Sequence, residues 1–426
     1  MAAESLPGRV EVVDAGQFGT PWGRHAMVSM LFFLLGAEMF VLSPLIPLLA
    51  TEFGTTTPVA AMSVSAFAVT YAAASPLIGA LSDGSTRKAA IVGGAIVFVG
   101  GELLCAAAPR FEFLLMGRVL AGLGAALMGP AVWSYVTETA APPERGRAVS
   151  RVSAFFAAGQ ILGVPAGALV ADNASWRWVF AAVGLAASAV ILLIGLKVTG
   201  ESRIPPRGRR AWSVIVASAG LWKSRDFTLV VSANFFAQAA RYATYTFAGA
   251  LLLSRFGFDT IQLGLIGAAV GTGSMIGALL AGYSVDIFHR AGRSQFALNV
   301  GYASVMALAL FAATSSETVW ISVFGWVITF AAGSAYVSTS QEYLTATMGD
   351  LRAPAVAWNN SALYAGTATG TFLLGMTELR STSFTVLAVS FSGVAVLLSG
   401  SVMLCQHRAR PIHGSDALPG AADARP

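Results

Sequence analysis

Charge is what this chain has least of. Only 11% of its 426 residues are Asp, Glu, Lys or Arg, while 56% are hydrophobic, and the mean hydropathy is +0.70. A soluble domain carries about 25% charged residues. Such a surface cannot be kept in water, which leaves a polytopic membrane protein. Lysine is scarcer still. Lys88, Lys197 and Lys223 are all there are, and none closes a Gly-x-x-x-x-Gly-Lys-Ser/Thr loop, which excludes a P-loop ATP-driven pump. The four histidines, His25, His289, His407 and His413, sit at span edges or in tails. No His-Glu-x-x-His or Gly-x-Ser-x-Gly occurs, so the chain is not read as an enzyme. Cys105 and Cys405 lie in apolar stretches without metal-like spacing; they read as small core side chains, with no disulfide framework and no metal.

What is abundant is apolar sequence in runs. Segments long enough to cross a bilayer, roughly 17–25 residues, fall at about 26–50, 58–81, 89–108, 112–137, 149–171 and 177–197. They recur at about 227–253, 261–285, 295–313, 318–341, 354–376 and 383–404. Twelve spans follow, all α-helical. The connection 198–226, with Arg203, Arg207, Arg209, Arg210, Lys223, Arg225 and Pro205-Pro206, joins two six-span halves. The expected organisation is a tail 1–24, a bundle 25–197, the loop 198–226, a bundle 227–404 and a tail 405–426. The first 24 residues lack a small-residue cleavage site, so span 1 is read as retained.

The basic residues orient the chain. With both termini cytoplasmic, 20 of the 26 Lys and Arg fall on the cytoplasmic side. Only Arg110, Arg177, Arg255 and Arg380 fall outside, while Arg118 and Arg241 lie within spans. The net charge of +5 and pI near 9.4 are therefore a topology signal and not a nucleic-acid footprint.

An offset of 203 positions superposes the halves. Gly79, Asp83 and Arg87 fall on Gly282, Asp286 and Arg290, Gly163 and Gly167 fall on Gly366 and Gly370, and Phe32-Phe33 falls on Phe235-Phe236. Glu138, closing span 4, comes within one position of Glu342, closing span 10. Paired repeats with a site between them near the midplane are a secondary-transporter architecture.

These residues also carry a family resemblance. The loop Gly79-Ala-Leu-Ser-Asp83-Gly-Ser-Thr-Arg87-Lys88 resembles the Gly-x-x-x-Asp-Arg-x-Gly-Arg-Arg/Lys loop of the major facilitator superfamily, with Gly84 for the first Arg and Thr86 for the Gly. Arg118-Val-Leu-Ala-Gly122-Leu-Gly124-Ala-Ala resembles its span 4 pattern. Gly159-Gln-Ile-Leu-Gly163-Val-Pro165-Ala-Gly167 is similar to the span 5 motif of its drug:proton antiporters, although Val164 departs from the usual glycine-proline start. The resemblance covers span 1 to span 12. It implies the twelve-helix major facilitator fold, and a latch at the cytoplasmic helix ends made by Asp83, Arg87 and Glu138 with their repeats Asp286, Arg290 and Glu342. The alternative is an orientation signal with incidental acids. Gly159, Gly163, Pro165 and Gly167 are expected to pack span 5 against span 8, the superfamily's seam between halves, as a sliding or a static surface.

Polar residues inside the spans supply the candidate site. Asn234, Gln238, Arg241 and Tyr245 lie within about 60° of one another on span 7 at 100° per residue. Span 11 has Asn360, Tyr364, Thr367 and Thr371 in the same style. Such stripes face a wet cavity or bond helix to helix. Trp326 and Phe330 could add an aromatic wall, or simply pack.

Glu38 is the outlying residue, about a dozen positions from either end of span 1. An acid there costs roughly 2.5–3.5 kcal/mol on insertion scales. The 203 offset places it on Arg241, so the two are expected as an acid–base pair at the midplane, with Arg118 a second cation in reach. Desolvation disfavours a carboxylate's charge and a nearby cation favours it, so its proton can follow access. Glu38 thus reads either as the proton-coupling acid or as half of a permanent ion pair. Glu102 ranks behind it because it lies near Pro109 and the outer interface. The expected function is export of a small amphipathic organic compound in exchange for protons, by a monomer in the inner membrane. It would use no cofactor beyond the proton gradient. The alternative is a uniporter or proton-coupled importer of a sugar or other metabolite.

Overall fold

Backbone amides in a bilayer have no water to bond, so an apolar run crosses as a helix that satisfies its own amides. A computed structural model describes residues 20–81, 86–198 and 218–409, and its elements there are helices. In the first half they are α1 (Trp22–Glu52), α2 (Thr57–Leu81), α3 (Arg87–Ala106), α4 (Phe111–Thr139), α5 (145–173) and α6 (Trp176–Lys197). The second half has α7 (225–256), α8 (Thr260–Arg290), α9 (Phe296–Ser315), α10 (Val319–Thr347), α11 (Arg352–Gly375) and α12 (Thr382–Ala409). The tails and most of the connecting loop lie outside the described residues.

Ten of these helices are long and apolar enough to span a membrane by composition. The other two are α7, broken by a π turn at Ala239–Ala243, and α11, which carries Asn359, Asn360, Thr367 and Thr371. Both bury most of that polarity in the interior. Starts follow local chemistry: Thr86, Ser175 and Ser224 cap α3, α6 and α7, and Asp259 with Gln262 forms a capping box on α8. Gly257 ends α7 at φ +69°, a left-handed conformation that costs a glycine nothing.

The halves are built alike. In the first, α1 packs on α5 and α3 lies against α4 and α6; in the second, α7 packs on α11 and α9 lies against α10 and α12. Between halves, α2 meets α11 and α5 meets α8. The glycines divide this work differently from the sequence expectation. Gly159 and Gly163 face Phe33 and Ala37 of α1, and Gly167 faces Val41, all within the first half. The α5–α8 seam uses the neighbouring face of α5, about 100° round the helix, where Gly264 lies over Pro165 and Ala168, Gly267 over Val164 and Gly271 over Gln160. Of the four residues expected on the seam, only Pro165 is there. Close approach to a helix of its own bundle, rather than sliding, is what Gly159 permits. Its missing side chain leaves room for the Phe33 carbonyl, so Gly159→Val must separate α1 from α5. Overpacking of this kind costs about 1–3 kcal/mol. The expected result is a lower unfolding temperature of the purified protein, read by tryptophan fluorescence.

Candidate functional site: a buried charge cluster and an aromatic box at mid-helix

Glu38 sits at the centre of α1, 1% exposed. Its Oε1 accepts from the Nη1 of Arg118 on α4, not from Arg241. The same Nη1 lies 3.8 Å from Glu102 on α3, and both acid and base are buried. Nε of Arg118 donates to the Ser63 carbonyl at 3.1 Å, and the guanidinium lies 4.7 Å over the Phe67 ring. Four helices therefore hold one guanidinium against two carboxyls. One Glu38 oxygen and both Glu102 oxygens accept no hydrogen bond among the described residues. With a single local cation, this cluster becomes neutral by holding one proton.

Two expectations are corrected here. Glu38 pairs within its own half, because Arg118 reaches it from α4 while Arg241 points into the second half. Glu102 is a full member of the cluster rather than a residue of the outer interface. The signal for this was present in the glycines. Gly94 and Gly101 on α3 meet Gly124 and Gly117 on α4 in antiparallel register. Backbones in such close contact put Glu102, next to Gly101, beside Arg118, next to Gly117.

Arg241 lies in the π turn of α7, 2% exposed. Its Nη2 donates to Ser274 Oγ on α8 (2.8 Å) and Ser334 Oγ on α10 (2.7 Å). Its guanidinium lies 4.6 Å from the Tyr242 ring centre and 4.5 Å from that of Phe330. No carboxylate pairs with it among the described residues. Repeat symmetry placed it at the depth of Glu38 but did not predict a π turn, a feature that recurs at functional sites.

Tyr245 and Trp326, expected in a substrate cavity, join an aromatic box. Ring centres lie 4.9 Å apart for Tyr245–Phe330, 6.0 Å for Tyr245–Trp326 and 5.7 Å for Phe40–Tyr242. Phe40 comes from the other half, two residues after Glu38. Asn234 and Gln238 are buried and engaged: Gln238 Nε2 donates to Asn234 Oδ1 (2.9 Å), and Asn234 Nδ2 to the Asn359 carbonyl (3.0 Å). The Asn234 bond ties α7 to α11, the helix-to-helix reading of that stripe, while the Gln238 bond stays within α7. Asn360 is half-buried, and Tyr364 stacks on Tyr71 of α2 at 3.9 Å across the halves.

The halves are joined at the end away from the termini. Ser43 Oγ donates to the Tyr245 carbonyl (2.7 Å) and accepts from the Gly249 amide (3.1 Å), while Gly375 lies close to Pro58. Toward the terminus-bearing side, α7 and α11, with Ala72 of α2, line an open cavity of about 310 Å³ that includes Phe235, Phe236, Trp358 and Ser361. At that side Arg87 and Glu138 form the expected ion pair at 2.9 Å. Its repeat does not form: Asp286 and Arg290 are exposed, and neither they nor Glu342 join an ion pair among the described residues. Asp83 lies outside the described residues.

Twelve long helices among the described residues, in two repeated halves with buried ionisable groups at mid-depth and a cavity where α2 meets α7 and α11, define a multi-pass membrane transporter. The family model of the Major Facilitator Superfamily matches residues 28–371. The chain belongs to that superfamily. It is 26% identical over 367 residues to the uncharacterized MFS-type transporter YceJ of Bacillus subtilis (strain 168), covering 86% of this chain and 92% of that protein. It is 26% identical over 254 residues to the chloramphenicol resistance protein of Streptomyces lividans, covering 59% of this chain and 64% of that one. Among solved structures it resembles a D-xylose-proton symporter with a TM-score of 0.74 at 17% identity, covering 89% of this chain and 97% of the symporter.

Proposed function

We propose that this transporter exports a small amphipathic organic molecule in exchange for protons. The carrying observation is the Glu38–Arg118–Glu102 cluster, in which two buried carboxyls share one guanidinium. A site that needs one proton for neutrality can take it from one side and lose it to the other as access alternates. Coupling follows if the substrate-bound form favours the unprotonated state. A drug-sized ligand needs a largely apolar cleft of about 300–1,000 Å³, and the aromatic-walled cavity suits an amphipathic one. The chloramphenicol resistance protein among the relatives supports the efflux direction. In this reading bundles 25–197 and 227–404 rock against each other. The termini are cytoplasmic on the positive-residue bias, the membrane is the inner one, and a monomer works with no cofactor beyond the proton gradient.

The second reading is proton-coupled sugar import. Its support is a fold shared with a D-xylose-proton symporter, with the buried Asn234 and Gln238 amides of α7 as groups a hydroxylated solute could bond. One experiment separates them. Purified protein in proteoliposomes with an acidic lumen is expected to accumulate chloramphenicol, and nigericin is expected to stop it. Accumulation of D-xylose under the opposite gradient, with chloramphenicol merely equilibrating, would replace the exporter with the importer.

A further inference from the structure

Arg241 is a buried charge that no acid of its own half neutralises among the described residues. The acids of the second half are Asp226, Asp259, Asp286, Glu317, Glu342, Asp350 and Glu378, each in a helix-end turn or a connection and far from mid-helix. Glu38, the acid at matching depth, is held by Arg118. Two serine hydroxyls accept from Nη2, but hydroxyls are neutral, and Nε has no acceptor among the described residues. A guanidinium cannot shed its proton to escape this cost, and a charge inside a membrane protein normally finds a partner or marks a functional path. The surroundings are also built for it. Gly333 gives the side chain its room, since a Cβ there would come within 2.5 Å of Arg241 Cδ.

We propose that Arg241 docks a carboxylate of the transported molecule, whose aromatic part enters the box of Tyr242, Tyr245 and Phe330. Phe40, reaching over from α1, occupies that box in the present arrangement, 5.4 Å from both Tyr245 and Phe330. Separation of the halves withdraws Phe40 and opens the box beside the unused Nε. A planar carboxylate matches the guanidinium fork, and the rings on either side match an aryl group. The inference rests on the exporter reading for the transport step and adds aromatic carboxylates to the amphipathic substrates that reading allows.

The test is titration of the full-length protein in nanodiscs with benzoate and, separately, its neutral isostere benzamide, followed by tryptophan fluorescence. Wild type is expected to bind benzoate at least about tenfold more tightly, because hydrogen bonds to ionised partners are about twice as strong as neutral ones. Arg241→Gln is expected to erase the preference. Arg241→Lys is expected to keep the preference with weaker binding, and it serves where the glutamine variant does not fold. Equal binding of the two probes by wild type, or an unchanged preference in Arg241→Gln, overturns the site. Proton-driven export of a neutral amphiphile without anion preference leaves the exporter standing and removes this site. An Arg241-dependent anion preference without any proton-driven flux keeps the site and removes the exporter.

Discussion

Glu38→Gln is expected to abolish uphill transport while leaving the protein folded and still able to exchange substrate downhill. The amide keeps the side chain's size and still offers Arg118 an oxygen acceptor. Arg118 retains a carboxyl partner, because Glu102 lies 3.8 Å from the same nitrogen. What the amide cannot do is release and take up a proton. One pH unit is worth about 1.36 kcal/mol per proton, so one-for-one exchange concentrates substrate about tenfold. In proteoliposomes with a one-unit gradient the variant's accumulation ratio should fall to about one, with counterflow at equal pH retained. A variant that still concentrates substrate like wild type would remove Glu38 from coupling and leave it a packing residue.

Arg118→Met is expected to be among the most destabilising single changes in the chain. Methionine fills much of the same volume but leaves Glu38 and Glu102 buried without their cation and the Ser63 carbonyl without its donor. Removing one partner of a buried pair costs about 3–5 kcal/mol, mainly because the other charge is stranded. The purified variant should aggregate on solubilisation or unfold at a markedly lower temperature. Adding Glu38→Gln should recover part of the loss, since contacting residues couple by about 0.5–3 kcal/mol. Near-wild-type stability of Arg118→Met would mean that the cluster does not tie α1, α3 and α4 together.

Much of the architecture was legible before any coordinates. The apolar runs marked twelve crossings, the 203-residue offset marked the repeat, and the motif glycines marked the family. Glu38, Arg118 and Arg241 stood out because ionisable residues inside spans are costly and therefore rare. Their partners were another matter. Repeat alignment equates positions by depth along matching helices, so it set Glu38 against Arg241. It carries no information on which way a side chain leaves its helix, and Arg118 arrives from α4. Glu102 differs for a similar reason: its nearness to a helix end does not bring it to water, because close α3–α4 packing buries it. The missing ion pair among Asp286, Arg290 and Glu342 shows that a repeat of sequence need not repeat a contact. The two halves present different neighbours at that end.

By itself the sequence determined that this chain lives in a bilayer, crosses it as helices and consists of two related halves. Those properties follow from composition and period, because the polar backbone of an apolar segment has few ways to satisfy its amides in lipid. Only the tertiary structure decided that Glu38 belongs to Arg118 and Glu102, that the motif glycines of α5 face α1, and that Arg241 stands between Tyr242 and Phe330 with no acid beside it among the described residues. Such pairings depend on helix rotation and on close approach at particular glycines. A few ångströms of packing select the partner, and no spacing along the chain encodes them directly.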